Sequence, residues 1–267
     1  MATVSVRELL DAGMHYGHHA SRWNPKMKPY IIGRRNLIHI INLRETLRGL
    51  IVAGKFVTHT VASGKSVVFV GTKRQARRVV QEQAVRCGMP FVIERWLGGT
   101  LTNFRTIRLR LNRLLELEAA FQSGTMDQYS KKEGSRMKRE LEKLQRNLDG
   151  IRTMSNLPGV VIVIDPRREK NAVAEAQRLN IPTICLADTD CDPDSSDILI
   201  PGNDDAMRSI EVVMRALADA VLAGKERRTQ RTEAEVTPMA PAAEKKAPEA
   251  PRAVRPAPQP AQPSLQN

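Results

Sequence analysis

The hydrophobic residues of this chain alternate between short continuous runs and longer stretches in which they recur every three or four positions. The short runs predict buried strands, and the 3.6-residue spacing predicts amphipathic helices. Alternation of the two is typical of a parallel sheet covered by helices on both faces. The predicted strands lie at 39–43, 66–71, 90–94, 159–165, 182–188 and 197–201, and the predicted helices between and after them at 44–64, 72–88, 170–180 and 204–224.

One segment interrupts this alternation, from Phe104 to about Arg152. It contains two helical patterns, each with a narrow apolar seam: Ile107, Leu111, Leu114, Leu117 and Phe121 in the first, and Met137, Leu141, Leu144, Leu148 and Ile151 in the second. Such seams predict two helices that bury only against each other. We therefore expect an inserted antiparallel coiled-coil hairpin that projects about 27 Å, since a helix rises about 1.5 Å per residue.

The two ends of the chain carry different signals. Ser5 and Glu8 form an S-x-x-E capping box, and Gly13 follows as a predicted helix stop. From Arg227 to Asn267 the chain is rich in Ala, Pro, Glu and Lys and has no hydrophobic period. We interpret 227–267 as a disordered tail, and 1–226 as one α/β domain.

The charge balance points to a polyanionic partner. The chain has 42 Lys and Arg against 29 Asp and Glu, a net charge of +13. Only +3 of this belongs to the predicted tail, so the folded part is basic. Nucleic acid is the commonest partner of such a protein. Aromatic residues make up 4%, which weighs against binding of single strands by base stacking.

Several other classes of protein lack support in the sequence. No apolar run approaches the roughly 20 residues that span a bilayer, and charges occupy the place where a secretory signal would need its apolar core. Three cysteines without a CxxC motif suggest a reducing compartment, so we expect a cytoplasmic protein. There is no GxGxxG, no P-loop and no GxSxG motif.

Two groups of residues were considered as metal ligands. His15, His18 and His19 have the i, i+3, i+4 spacing of a helical zinc site, but Gly17 makes an unbroken helix doubtful and no Cys lies nearby. Packed or hydrogen-bonded histidines are the favoured interpretation. The Asp-rich loop at 188–205 could offer oxygen ligands, although dense Asp and Pro more often form turns and caps. We predict neither a metal nor a cofactor.

The basic residues fall into separate clusters suited to phosphate contacts. One lies on a proline-stiffened stretch, one at a helix N-terminus where anions are already favoured, one around a Gly-Gly turn, and one on the second hairpin helix. Their candidate RNA-binding residues are Arg22, Lys26, Lys28, Arg34 and Arg35; Lys73 and Arg74; Arg95, Arg105, Arg108 and Arg110; and Lys131, Lys132, Arg136, Lys138 and Arg139. Such clusters with few aromatic residues are typical of a protein that recognises the shape and phosphates of folded RNA.

Five segments together resemble the ribosomal protein S-two family of the bacterial small subunit. They are "GMHYGHHASRWNPKMKPYIIGRRNLIHIINL", "VVFVGTKRQA", "ERWLGGTLTNFRTI", "LPGVVIVID" and "IPTICLADTDCDPDSSDILIPGNDDAMRSI". The resemblance covers about Val4 to Gly224, with the hairpin in the expected place. One departure is Asp190, which stands where the family motif D-T-N usually has Asn.

The resemblance implies a flavodoxin-like three-layer α/β/α domain with an inserted hairpin and no catalytic activity. It also implies contacts with small-subunit ribosomal RNA and neighbouring ribosomal proteins, and a part in recruiting ribosomal protein S-one. The alternative, from a different class, is a nucleotide- or metal-dependent α/β enzyme that uses the loops at the carboxyl ends of its strands.

Overall fold

A five-stranded parallel sheet forms the centre of the structure, a computed structural model that describes residues 4–123 and 130–236, with the side chains of 231–236 left out. Its strands are β4 (Val67–Val70), β5 (Phe91–Val92), β6 (Val160–Ile164), β7 (Thr183–Ala187) and β8 (Ile198–Pro201). Their order is β5-β4-β6-β7-β8. The first strand of this sheet in the chain, β4, is therefore flanked by the second, β5, at the edge and by the third, β6, on its other side. This is the flavodoxin-like strand order. The predicted fold class is confirmed.

Helices cover both faces of this sheet and bury alternate strand residues. They are α1 (Val6–Asp11), α2 (Leu43–Ala62), α3 (Arg74–Cys87), α4 (Phe104–Gln122), α5 (Lys131–Leu148), α6 (Lys170–Arg178) and α7 (Met207–Val236). Val67 and Phe69 belong to the core under α2, α3 and α7. Val68 and Val70 face the opposite core, which α6 and the hairpin helices close. No described helix is long and apolar enough to cross a membrane.

The strand predicted at 39–43 does not belong to the parallel sheet. It is β3 (Ile38–Ile41), the centre of a separate antiparallel sheet between β1 (Tyr16–His19) and β2 (Ile31–Arg35). A tight turn at Asn36 and Leu37, both with positive φ, reverses the chain between β2 and β3. The sequence did not reveal β1 and β2 because both are mostly polar and only partly buried, so neither forms an apolar run.

The inserted hairpin is present, but its helices do not bury only against each other. Leu114, Leu117 and Leu141 lie in the expected seam, and Gln145 Nε2 donates a hydrogen bond of 2.8 Å to Glu118 across it. The base of the hairpin shares its core with the sheet residues Val68 and Val70. Phe121, at the outer end, is 51% exposed. The hairpin is therefore anchored in the core of the domain at its base and more exposed at its outer end.

The two chain ends agree only partly with the sequence prediction. Ser5 accepts a hydrogen bond of 3.1 Å from the Glu8 amide, as predicted, while the Glu8 carboxylate binds Arg215 instead of closing the capping box. Helix α7 continues through Gly224 to Val236, beyond the predicted boundary at 226. A Cβ on Gly224 would lie 2.8 Å from Val61, so this glycine serves the close crossing of α7 and α2 and does not end the helix. The tail beyond 236 lies outside the described residues.

Two glycines of α2 predict opposite effects of the same substitution. A Cβ at Gly49 would overlap the carbonyl oxygen of Leu199 in β8, whereas one at Gly54 would meet only Ala220 at 3.9 Å. We expect Gly49→Ala to lower the free energy of unfolding by about 2–3 kcal/mol through overpacking. Gly54→Ala is expected to raise it by about 0.5–1 kcal/mol through helix propensity. Urea unfolding of both variants checks this, and equal effects would contradict it.

Candidate nucleic-acid interface

The carboxyl ends of the five parallel strands meet at one edge of the sheet, and the N-terminal segment lies across that edge. The amide of Asn24 donates a hydrogen bond of 2.8 Å to the carbonyl of Thr189, which follows β7. The amide of Asn203, after β8, donates to Met14 at 3.2 Å, and its side chain donates to Gly13 at 3.1 Å. The antiparallel sheet is thereby fixed to the carboxyl edge, where this fold class places its ligands.

Most of the predicted RNA-binding residues that lie outside α5 are exposed near the carboxyl edge. Arg74 opens α3 directly after β4, and Arg95 follows β5. Arg34 and Arg35 lie opposite His39 and Ile38 in the antiparallel sheet. We call the following set the basic edge: Arg22, Lys28, Arg34, Arg35, Arg74, Arg95, Arg105, Arg108 and Arg110. All nine are exposed, and none forms an ion pair with another residue in the described ranges.

The hairpin carries the second group of predicted residues. Five basic side chains are exposed on the first half of α5, which begins at the end of the hairpin far from the sheet. They are Lys131, Lys132, Arg136, Lys138 and Arg139. Helix α5 starts with the capping box formed by Ser130 and Glu133. These cations form a second exposed basic surface, on the hairpin.

A buried glutamate holds the Gly-Gly loop that carries Arg95. Glu175 of α6, only 7% exposed, accepts hydrogen bonds from Trp96 Nε1 at 3.0 Å and from the amides of Gly99 and Leu101 at 2.8 and 3.0 Å. The Thr102 amide and hydroxyl also donate to it. Burial alone would raise the pKa of Glu175, but these donors outweigh it and lower the pKa. The sequence did not single out Glu175, because its partners lie more than 70 residues away.

Lys73 differs from the other candidates because it is buried in an acidic cluster. Its ammonium lies 2.9 Å from Asp165, 2.8 Å from Asp204 and 3.0 Å from Asp205. Burial alone would lower the pKa of Lys73, but these carboxylates raise it. Lys73 follows β4, Asp165 follows β6, and the other two follow β8. The side chain therefore links strand ends, and we do not count it in the basic edge.

His18 joins the same cluster from the N-terminal segment. Its Nδ1 lies 2.7 Å from Asp188 Oδ2, and its Nε2 lies 3.5 Å from Asp205. The hydrogen bond with Asp188 raises the pKa of His18 to about 9. Burial raises the pKa of Asp204 to about 7. The predictions from the sequence treated the histidines and the Asp-rich loop as separate groups, whereas the fold brings His18 and the loop together.

The remaining histidines of the opening stretch have simpler roles. His15 stacks on Tyr16 with ring centroids 4.0 Å apart, and burial lowers its pKa. His19 accepts a hydrogen bond from the Ser21 amide. Trp23 packs against His39, which lies outside this stretch, with ring centroids 5.2 Å apart. Since β1 is a strand, the three histidines do not share a helical face.

The Asp-rich loop forms a predicted cap and also ion pairs that the sequence analysis did not predict. Asp192 accepts from the Asp194 amide at the start of a short 3-10 turn. Lys26, a predicted RNA-binding residue, is exposed but lies 3.1 Å from Asp192 and 2.6 Å from Asp194, and these hydrogen bonds raise its pKa. Asp190, which departs from the family motif, binds Arg167 at 2.6 Å. Lys26 thus fastens the N-terminal segment to this loop.

Comparison with known proteins gives one consistent family. Residues 9–224 match the family described as Ribosomal protein S2. Three curated relatives are each named small ribosomal subunit protein uS2. The relative from Rhodopirellula baltica is 56% identical over 91% of this chain and 92% of its own. Those from Syntrophobacter fumaroxidans and Geotalea uraniireducens are 52% and 47% identical, over 87% and 91% of this chain and 85% and 95% of their own.

Replacement of Glu175 tests whether a buried carboxylate shapes the Gly-Gly loop. Glu175→Gln places an amide donor against amide donors, so we expect a loss of about 2–3 kcal/mol in the free energy of unfolding at pH 7. A carboxylate with a lowered folded pKa stabilises above its unfolded pKa of about 4.3 and loses that contribution as the pH falls through the folded pKa. The difference between wild type and variant should therefore shrink in acid. Urea unfolding at several pH values measures it, and a pH-independent difference would argue against this role.

Proposed function

Because the chain belongs to the ribosomal protein S2 family, we propose that it binds small-subunit ribosomal RNA through the basic edge and through the cations of α5. A structural role in the small ribosomal subunit is the function of this family. The protein then acts by placing cations, and not by catalysing a reaction. The RNA would be held through its phosphates and its folded shape.

The observation that carries this proposal is the exposure of nine cations without an acidic partner. Elsewhere on the described surface, arginines such as Arg86 and Arg113 are ion-paired with neighbouring carboxylates. A guanidinium without an ion-pair partner can form bidentate hydrogen bonds with a phosphate. Arg34 and Arg35 belong to β2, so their backbone is already ordered and RNA binding does not have to order a loop there.

The hairpin extends this interface away from the sheet. Lys131, Lys132 and Arg136 stand near its outer end, where Phe121 is also exposed. A cationic tip on a narrow arm can reach RNA or a neighbouring protein that the α/β domain itself does not touch. We propose RNA phosphates as its main contact.

Neighbouring ribosomal proteins are the second class of partner in this proposal, and ribosomal protein S-one is among them. Support for a protein contact comes from apolar side chains exposed on α1 and α2: Val6, Leu10, Ile51 and Val52 are each close to half exposed. Small subunits assembled without this protein should then contain less ribosomal protein S-one.

The alternative is a nucleotide- or metal-dependent enzyme, and its nucleotide-dependent form has less support at the place where the nucleotide would bind. In this fold class the ligand occupies the crevice where the strand order reverses, here between β4 and β6. Lys73 fills that position with ion pairs to the carboxylates after β6 and β8. Four aspartates there would also repel a nucleotide phosphate. Saturable nucleotide binding by the isolated protein would favour the alternative.

We expect the double variant Arg34→Ala, Arg35→Ala to reduce incorporation into small subunits several-fold while leaving the melting temperature nearly unchanged. Both residues are exposed, and their side chains form no ion pair in the ranges that the structure describes. The matched control is Lys55→Ala, Lys65→Ala, which removes the same charge: Lys55 is exposed on α2, and Lys65 is exposed before β4, at the amino edge of the sheet. Sedimentation of tagged protein from lysate, with quantification in the small-subunit fraction, measures the effect.

Two results would count against the proposal. One is absence of the wild-type protein from small subunits, and the other is equal incorporation of the two double variants. A large fall in the melting temperature of the Arg34, Arg35 variant would instead assign these residues a structural role.

Salt dependence tests whether phosphates are the contact. Binding of the purified protein to small-subunit rRNA should weaken linearly in a log–log plot against salt, because each phosphate contact releases condensed counterions. The Arg34, Arg35 variant should show a slope smaller in magnitude by roughly one per lost contact. Filter binding at several salt concentrations measures both slopes, and identical slopes would show that neither arginine contacts a phosphate.

A further inference from the structure

We propose that His18, Asp188 and Asp204 form a binding site for a divalent transition-metal ion, with zinc as its best-suited occupant. This site joins the N-terminal segment to the carboxyl edge of the sheet. It does not depend on the proposed RNA binding.

The three side chains bring suitable donor atoms to one place. One ligand atom from each of His18, Asp188 and Asp204 lies within 4.8 Å of the other two. The residues come from three different elements: β1, the end of β7 and the segment after β8. Imidazole nitrogen and carboxylate oxygen are both common zinc ligands. A single ion could therefore contact all three after small side-chain movements.

Asp204 supplies a second, independent observation in favour of a bound cation. Its side chain is fully buried, and its Oδ1 faces the Lys73 ammonium at 2.8 Å. Its Oδ2 has no hydrogen-bond partner among the described residues. A buried carboxylate oxygen without a partner costs several kcal/mol of desolvation, in order of magnitude. A metal ion bound by this carboxylate together with His18 and Asp188 would remove this penalty.

The charge of the cluster also favours another cation. Four carboxylates, those of Asp165, Asp188, Asp204 and Asp205, surround the single ammonium of Lys73 and the imidazole of His18. The cluster therefore holds more carboxylates than basic side chains. A divalent ion bound by His18 and these carboxylates would reduce this excess of negative charge.

The donor set discriminates between metals. Magnesium and calcium prefer oxygen ligands only, whereas an imidazole selects zinc and other late first-row ions. Both ring nitrogens of His18 already face carboxylates, Nδ1 that of Asp188 and Nε2 that of Asp205. One nitrogen can therefore bind the ion while the other contacts a carboxylate, which is the common arrangement around metal-binding histidines. We therefore expect zinc to bind and magnesium not to compete at similar concentrations.

Titration of the chelator-treated full-length protein tests the proposal, with ZnCl₂ as the probe and calorimetry and elemental analysis as readouts. We expect one zinc ion per chain and a melting temperature that rises until one equivalent is bound, because a ligand of the native state stabilises it. His18→Gln should weaken zinc binding by at least about tenfold. The matched control is His19→Gln, which changes the adjacent exposed histidine outside the cluster and should bind zinc as the wild type does.

Asp204→Asn provides a second test, and circular dichroism shows whether each variant is folded. If Asp204→Asn does not fold, the comparison between His18→Gln and His19→Gln still decides. No saturable zinc binding by the wild type would overturn the proposal. So would equal loss of zinc in the His18 and His19 variants, which would indicate adventitious binding by exposed histidines.

Discussion

The structure depends on bringing opposite charges together at the carboxyl edge of the parallel sheet. Lys73 follows β4, and its ammonium contacts carboxylates that follow β6 and β8. His18 of β1 links the N-terminal segment to this cluster through its contact with Asp188, which follows β7. Ends of four parallel strands and the N-terminal segment are thereby held in one cluster. These contacts help to fix the backbone next to exposed cations of the basic edge, such as Arg74, which directly follows Lys73.

The loop between β5 and α4 follows the same logic on a smaller scale. Its backbone amides would be unsatisfied if they were buried without an acceptor, and Glu175 supplies one carboxylate for several of them. The loop can therefore expose Arg95 at its start while Trp96 and Leu101 point into the core. In both places a buried acidic residue determines where exposed basic residues stand.

The sequence predicted the parts of the fold that are set by local patterns. Val160–Ile164 is a continuous apolar run and is a fully buried central strand, and the seam of Leu114, Leu117 and Leu141 did predict a hairpin. It did not predict the antiparallel sheet, since Ile31–Arg35 is mostly exposed. Nor could it pair His18 with Asp188, which is 170 residues away. It did locate the exposed cations, but it could not separate Lys73 from them, because burial is a property of the tertiary structure.

The close approach of α2 to β8 and α7, marked by Gly49 and Gly224, has a consequence for the order in which the protein assembles. Helix α2 comes from the first quarter of the chain, and its partners come from the last quarter. Since synthesis delivers the N-terminal part first, α2 and the strands beside it wait for partners that emerge more than 130 residues later. Long-range contacts of this kind slow folding. The N-terminal segment can therefore complete its contacts with the carboxyl edge only after the last strand of the sheet has been made.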